Sequence, residues 1–233
     1  MMSILDGKKV LMVLAHPDDE VIFGWPILQN QSVEKCILIC SSDLNNPKRK
    51  WCSNRRLALV KLCSNLGIEY KCLDYNSDFY RLKTQECPSF RGQRFIRGKL
   101  LNFIVCKYIS LQKDQTTLCG MIEDILSQIN KFCFDFIYTH NAWGEYGHLD
   151  HQLLHNVIAN VGAPTIVSDI FVPTTLTPYS CRPILFEKLY CHDPIETCEN
   201  DLGAYAQCEK VYRDAGVWTW GEPPIKYCNL YKF

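Results

Sequence analysis

Short unbroken apolar runs alternate along this chain with segments whose apolar positions recur every three or four residues. Val10 to Ala15 is continuously apolar, and Lys35 to Cys40 and Phe134 to His140 read as further buried strands. Continuous runs of this length fit strands buried on both faces of a parallel sheet, because half-exposed strands alternate apolar and polar side chains. Ile68 to Tyr75 predicts a further strand and Thr165 to Val172 a late one. Helical periodicity predicts helices over Val21–Gln29, where Gly24 and Pro26 interrupt the pattern, and over Trp51–Leu66, which Gly67 ends. Further helices are expected over Lys99–Leu111, about Thr116–Phe132 and about Asp150–Asn160. This alternation predicts an α/β fold, a single Rossmann-like domain with a mostly parallel sheet flanked by helices. From Asn76 to Gly98 the pattern lapses, which predicts a loop-rich insertion. Leu185 to Cys191 reads as a last strand and Ile195 to Ala215 as a last helix. No repeat or linker divides the chain, so residues 1–233 are expected to form one domain.

Two of the strands run into ionisable clusters. After Ala15 come His16, Pro17, Asp18, Asp19 and Glu20. Pro17 disfavours helix at His16 and holds that residue at the strand end. Asp18 or Asp19 can cap a helix starting there, since carboxylates suit the free amides and positive dipole end of a helix. After the strand at Phe134, four of the six histidines fall between 140 and 155, as His140, His148, His151 and His155. In an open α/β sheet, ligands bind at the carboxyl ends of the strands. Two strand-end clusters of His and Asp, far apart in sequence, therefore read as one metal site assembled by folding.

Composition narrows the classes. Lys and Arg number 25 and Asp and Glu 25, so no global field favours nucleic acid or a membrane surface. No apolar stretch approaches a membrane span, and the run after Lys8 and Lys9 stops too soon at His16 for a signal peptide. Fourteen cysteines without a Cys-x-x-Cys, several inside apolar segments, fit reduced buried thiols better than a disulfide scaffold or a zinc knuckle. A cytoplasmic protein is the expectation.

The residues Ala-His-Pro-Asp-Asp-Glu at 15–20 and Gly-His-x-Asp-His at 147–151 resemble the two hallmarks of the PIG-L/LmbE-like zinc de-N-acetylases of N-acetylglucosamine conjugates. The resemblance runs from about Lys8 to about Gly162. It implies Zn2+, with Fe2+ as an alternative divalent ion, held by His16, Asp19 and His151, with Asp18 free as general base. Two imidazoles and one carboxylate leave open positions on the metal, the arrangement of a catalytic site. His148 is then the candidate to stabilise the oxyanion and protonate the leaving amine. Asp150 fits a carboxylate that fixes an imidazole tautomer, with His148 as its expected partner. An arginine after the second strand contacts sugar hydroxyls in the family, and Arg55 takes that place, although Ala58 stands where a glutamate usually follows. Leu149 replaces a proline frequent in the second motif.

The implied activity is removal of an acetyl group from an N-acetylated amino sugar, whether phosphorylated, nucleotide-linked or lipid-linked. Basic residues Lys48, Arg49 and Lys50, and Arg91, Arg94 and Arg97, suit an anionic substrate as well as a solvated face. Trp143, Trp218 and Trp220 can stack on a sugar or fill core. Competing readings are a non-haem iron(II) oxygenase, which shares the donor set, and a non-catalytic sugar- or metal-binding module. A His151–His155 chelate of the zincin type is a rival, but Gln152 stands where that motif has glutamate.

Overall fold

The computed structural model describes residues 3–41, 52–75, 115–142, 144–169, 193–218, 220, 221, 224 and 226–232. The expected insertion at about 76–98, the helix at 99–111 and the strand at 185–191 lie outside them, as do His192, Trp143 and both basic clusters.

The strands are β1 (Lys9–Leu14), β2 (Glu34–Ser41), β3 (Glu69–Tyr75), β4 (Phe136–Tyr138), β5 (Thr165–Ser168), β6 (Glu196–Glu199) and β7 (Tyr227–Lys232). They form one sheet in the order β3-β2-β1-β4-β5-β7-β6. The first five are parallel, with Val10 opposite Lys35 on one side and Phe136 on the other. β7 runs antiparallel to both β5 and β6. Successive strands step outward from β1 through β2 to β3, and the chain then returns to place β4 on the other side of β1. That reversal opens a crevice at the carboxyl ends of β1 and β4, where open α/β sheets bind their ligands.

The helices are α1 (Asp19–Ile22), α2 (Trp25–Leu28), α3 (Cys52–Leu66), α4 (Gln115–Lys131), α5 (Gly144–Gly147), α6 (Leu149–Ala159) and α7 (Leu202–Asp214). The pleat of β1 explains its unbroken apolar run. Val10, Met12 and Leu14 pack on one face with Ala58, Leu59 and Leu62 of α3 and Tyr205 and Tyr212 of α7. Leu11, Val13 and Ala15 pack on the other with Ile125 and Ile129 of α4 and Leu154 and Ile158 of α6. Helices cover both faces, so each side of the strand needs an apolar row.

Three local expectations require correction. The segment 21–29 is two single turns rather than one helix, broken at Gly24, where a Cβ would lie 2.4 Å from Met12 Cε and 3.0 Å from the Glu20 carbonyl oxygen. The close approach of this turn to β1 is what requires glycine. The last helix begins at Leu202, not Ile195, because Asp201 caps it by accepting the Gly203 and Ala204 amide protons at 2.9 Å. Residues 196–199 instead form the edge strand β6, and β7, absent from the periodicity reading, separates it from β5.

Candidate metal centre

His16 follows β1, and His140 and Asn141 follow β4, so parallel pairing of these two strands brings the clusters together. The His16 and His148 rings lie 4.8 Å apart, and the His16 and His151 rings 5.4 Å. Two overlapping groups of donors result, His16–His148–His151 and Asp19–His140–His151, with the atoms of each group within 4.8 Å of one another.

Asp19 Oδ2 is the hub. It accepts the His16 amide proton at 2.7 Å. It lies 3.4 Å from His16 Nδ1, 3.4 Å from His151 Nε2 and 3.3 Å from His140 Nε2. Burial alone would raise the Asp19 carboxyl, yet the surrounding His151, His140 and His16 rings hold it well below the usual carboxylate range. It is an anion enclosed by imidazoles.

Partners at the far side of each ring set the tautomers, because a carboxylate or carbonyl oxygen only accepts and a backbone N–H only donates. His16 Nε2 donates to Asp150 Oδ2 at 2.9 Å, which leaves Nδ1 facing Asp19. His151 Nδ1 donates to Glu145 Oε2 at 2.6 Å, which leaves Nε2 facing Asp19. His140 Nδ1 donates to the same Glu145 oxygen at 3.1 Å, and its Nε2 accepts the Ala15 amide proton at 3.0 Å. His148, the N-cap of α6, accepts the Asp150 amide proton on Nδ1 at 3.3 Å, so its proton sits on Nε2. Burial and the neighbouring His151 and His16 push His148 down to about 2, and it is a neutral donor. His155 Nδ1 donates to the His140 carbonyl at 2.8 Å and belongs to neither donor group.

Asp18 and Asp19 are adjacent but point apart. Asp18 occupies the N-cap position of α1 at φ 103°, in the left-handed region, and its side chain makes no cap bond. That backbone swings the carboxylate away from the helix amides and into an ion pair with Arg55. Neither aspartate therefore caps α1 as expected. A non-glycine residue at such a φ is strained, and strain of this kind concentrates at functional sites. Burial raises the Asp18 carboxyl to about 7 against the opposing pull of the Arg55 guanidinium. Glu20 is fully buried, accepting from the Asp18 amide at 3.0 Å and from the Tyr212 hydroxyl of α7. The C-terminal helix thus braces the first motif.

Sequence reasoning placed Asp150 beside His148. The Asp150 carboxylate is 3.9 Å from that ring and 2.9 Å from His16, because the N-cap bond uses the Asp150 backbone and leaves its side chain free to turn to β1. Glu145 was missed altogether. Its signal was slight, a lone acid among glycines six residues before His151. Phe23 walls the cluster, with its ring 5.3 Å from His151 and 5.7 Å from the half-buried Trp220. Trp218 packs on Tyr205 and Tyr212 in the core instead.

Comparison with known proteins follows the same lines. A family model described as PIG-L, GlcNAc-PI de-N-acetylase, matches residues 11–161. An uncharacterised protein, L374 of Acanthamoeba polyphaga mimivirus, is 23% identical over 188 residues, covering 77% of this chain and 68% of the relative. The zinc-inhibited form of teicoplanin deacetylase Orf2 superposes with a TM-score of 0.56 at 12% identity, covering 96% of this chain and 97% of that one. The A40926 pseudoaglycone deacetylase Dbv21 gives 0.54 at 14% identity, covering 91% and 83%. These structural likenesses establish the shared fold. Among the described residues, no helix is long and apolar enough to cross a membrane. The family match and the buried donor cluster together support a metal-dependent deacetylase in general. With well over half its length matched by one family model, the chain belongs to the PIG-L family.

Proposed function

We propose that this protein is a zinc-dependent hydrolase that removes the acetyl group from an N-acetylated amino sugar, an N-acetylglucosamine-type glycoconjugate or sugar nucleotide. One observation carries the reading. His16 Nδ1 and His151 Nε2 each face Asp19 Oδ2 at 3.4 Å, and each ring gives its other N–H to a carboxylate. Two imidazoles and a carboxylate fit zinc and leave positions for water and substrate. His16, Asp19 and His151 would hold the ion. His140 and His148 suit it less, since the Ala15 and Asp150 amides occupy their lone pairs.

When bound, zinc polarises the amide carbonyl and lowers the pKa of its water to about 7. Asp18 receives the proton of the attacking water. Arg55 pairs with that carboxylate and holds it in place, and a guanidinium at this position suits sugar hydroxyls. His148 offers its neutral Nε2–H to the developing oxyanion, and Asp18 passes the proton it took from water to the leaving amine. Water and amide become acetate and a free amino sugar. Asp150 and Glu145 hold the two imidazoles. Trp220, half-buried against Phe23, supplies an aromatic surface suited to the face of a sugar ring. Cys40, Cys63 and Cys208 are buried thiols outside any disulfide, which supports a reducing, cytoplasmic location.

Metal exchange tests the chemistry. Stripping the protein with a chelator should abolish acetate release, and one equivalent of Zn2+ per chain should restore it. Restoration by Fe2+ alone, with consumption of O2, would favour the oxygenase reading. Activity that survives complete stripping would overturn the proposal.

A further inference from the structure

We propose that Glu145 is the positioning residue of His151, locking that ring in the Nδ1–H tautomer with Nε2 turned to Asp19. The inference rests on the reading of His151 as a metal ligand, and it assigns a role to a residue outside both sequence motifs.

Glu145 is fixed at each end. Its Oε2 takes the His151 Nδ1 proton at 2.6 Å and the His140 Nδ1 proton at 3.1 Å. Its Oε1 accepts the Asn141 amide proton at 3.0 Å, and its own amide donates to Asn141 Oδ1 at 2.9 Å. The backbone bends sharply to allow this, with Gly144 at φ 66° and Glu145 at φ 53°. A Cβ on Gly144 would meet Gln152 Cγ at 2.9 Å and His151 Cβ at 3.2 Å, so the turn lies directly against α6. A left-handed conformation at a non-glycine residue is strained and persists only when its surroundings demand it. Here the surroundings are the two imidazoles.

His140 completes the clamp. Its ring stacks on His151 with centroids 3.7 Å apart and planes 14° from parallel. Held by Glu145 on Nδ1 and the Ala15 amide on Nε2, it blocks rotation of His151 from one side. A single buried carboxylate thus orients one ring for the metal and a second ring as its backstop. It also leaves His151 Nε2 as a lone pair, the usual arrangement of a carboxylate behind a ligating histidine.

The test has two readouts on the full chain. Long-range 1H–15N correlation spectra of the metal-free wild-type protein should show His151 as the Nδ1–H tautomer. Finding Nε2–H there would overturn the proposal without any variant. Zn2+ affinity, measured by competition with a chromophoric chelator, should fall about 10–100-fold in Glu145→Gln. Unchanged Zn2+ affinity in Glu145→Gln, beside loss of zinc in His151→Ala, would overturn the role of Glu145 and leave the ligand assignment standing. Wild-type Zn2+ affinity in His151→Ala would overturn that assignment and this proposal with it.

Discussion

Asp19→Ala is expected to leave the purified protein with almost no bound zinc and almost no activity. Asp19 Oδ2 is where the amide of His16 and the rings of His16, His140 and His151 converge, all within 3.4 Å. Removing it deletes the one anion at the centre of the cluster and leaves imidazoles facing one another. A metal Lewis acid supplies several kcal/mol of transition-state stabilisation, so turnover should drop by roughly 10³-fold or more. Zinc per chain, measured by elemental analysis after dialysis, should fall from about one toward zero. An Asp19→Ala protein that keeps stoichiometric zinc would remove Asp19 from the ligand set.

Asp18→Ala should behave oppositely, retaining zinc while turnover falls by about 10²–10⁴-fold, the usual contribution of a positioned acid–base group. Geometry separates the two residues. Asp18 and Asp19 are chemically identical neighbours, but φ 103° at Asp18 sends its carboxylate to Arg55 and away from the imidazoles. His148→Ala should likewise keep the metal and lose about 10²–10³-fold in kcat, as expected for removing one oxyanion donor. Zinc content measured beside turnover separates the roles. If Asp18→Ala empties the site while Asp19→Ala stays loaded, the two aspartates have exchanged functions.

The parts of this molecule readable from sequence are those that burial controls. β1 and β2 sit centrally under helices on both faces, so their apolar runs are continuous and unambiguous. Their parallel pairing, with β4 on the far side of β1, follows from the strand–helix alternation and brings residues 16–20 to residues 140–155. The edge of the sheet obeys weaker rules. β6 reads Glu-Thr-Cys-Glu, half exposed and polar, and was absorbed into a helical period that begins only after the Asp201 cap. β7 does alternate, with Cys228 and Leu230 buried, but it is short and lies beyond the matched motifs.

Within the site, residue types were legible and side-chain directions were not. Asp150 was expected on His148, whereas rotation about its own side-chain bonds carries it to His16. Glu145 carries no periodicity or motif, because its role depends on a left-handed turn that places it under His151. The bracing of Glu20 by Tyr212 joins residues 192 positions apart, a distance across which local patterns carry no information.

Acetate release tests the central claim most directly. The zinc-loaded protein is incubated with a panel of free, nucleotide-linked and lipid-linked N-acetylglucosamine compounds, with Asp18→Ala as the matched control. Stoichiometric acetate and free amine are expected from at least one member of the panel, with a rate about 10²–10⁴-fold lower from the control. A zinc-loaded protein that binds these sugars but releases no acetate from any of them would contradict the claim.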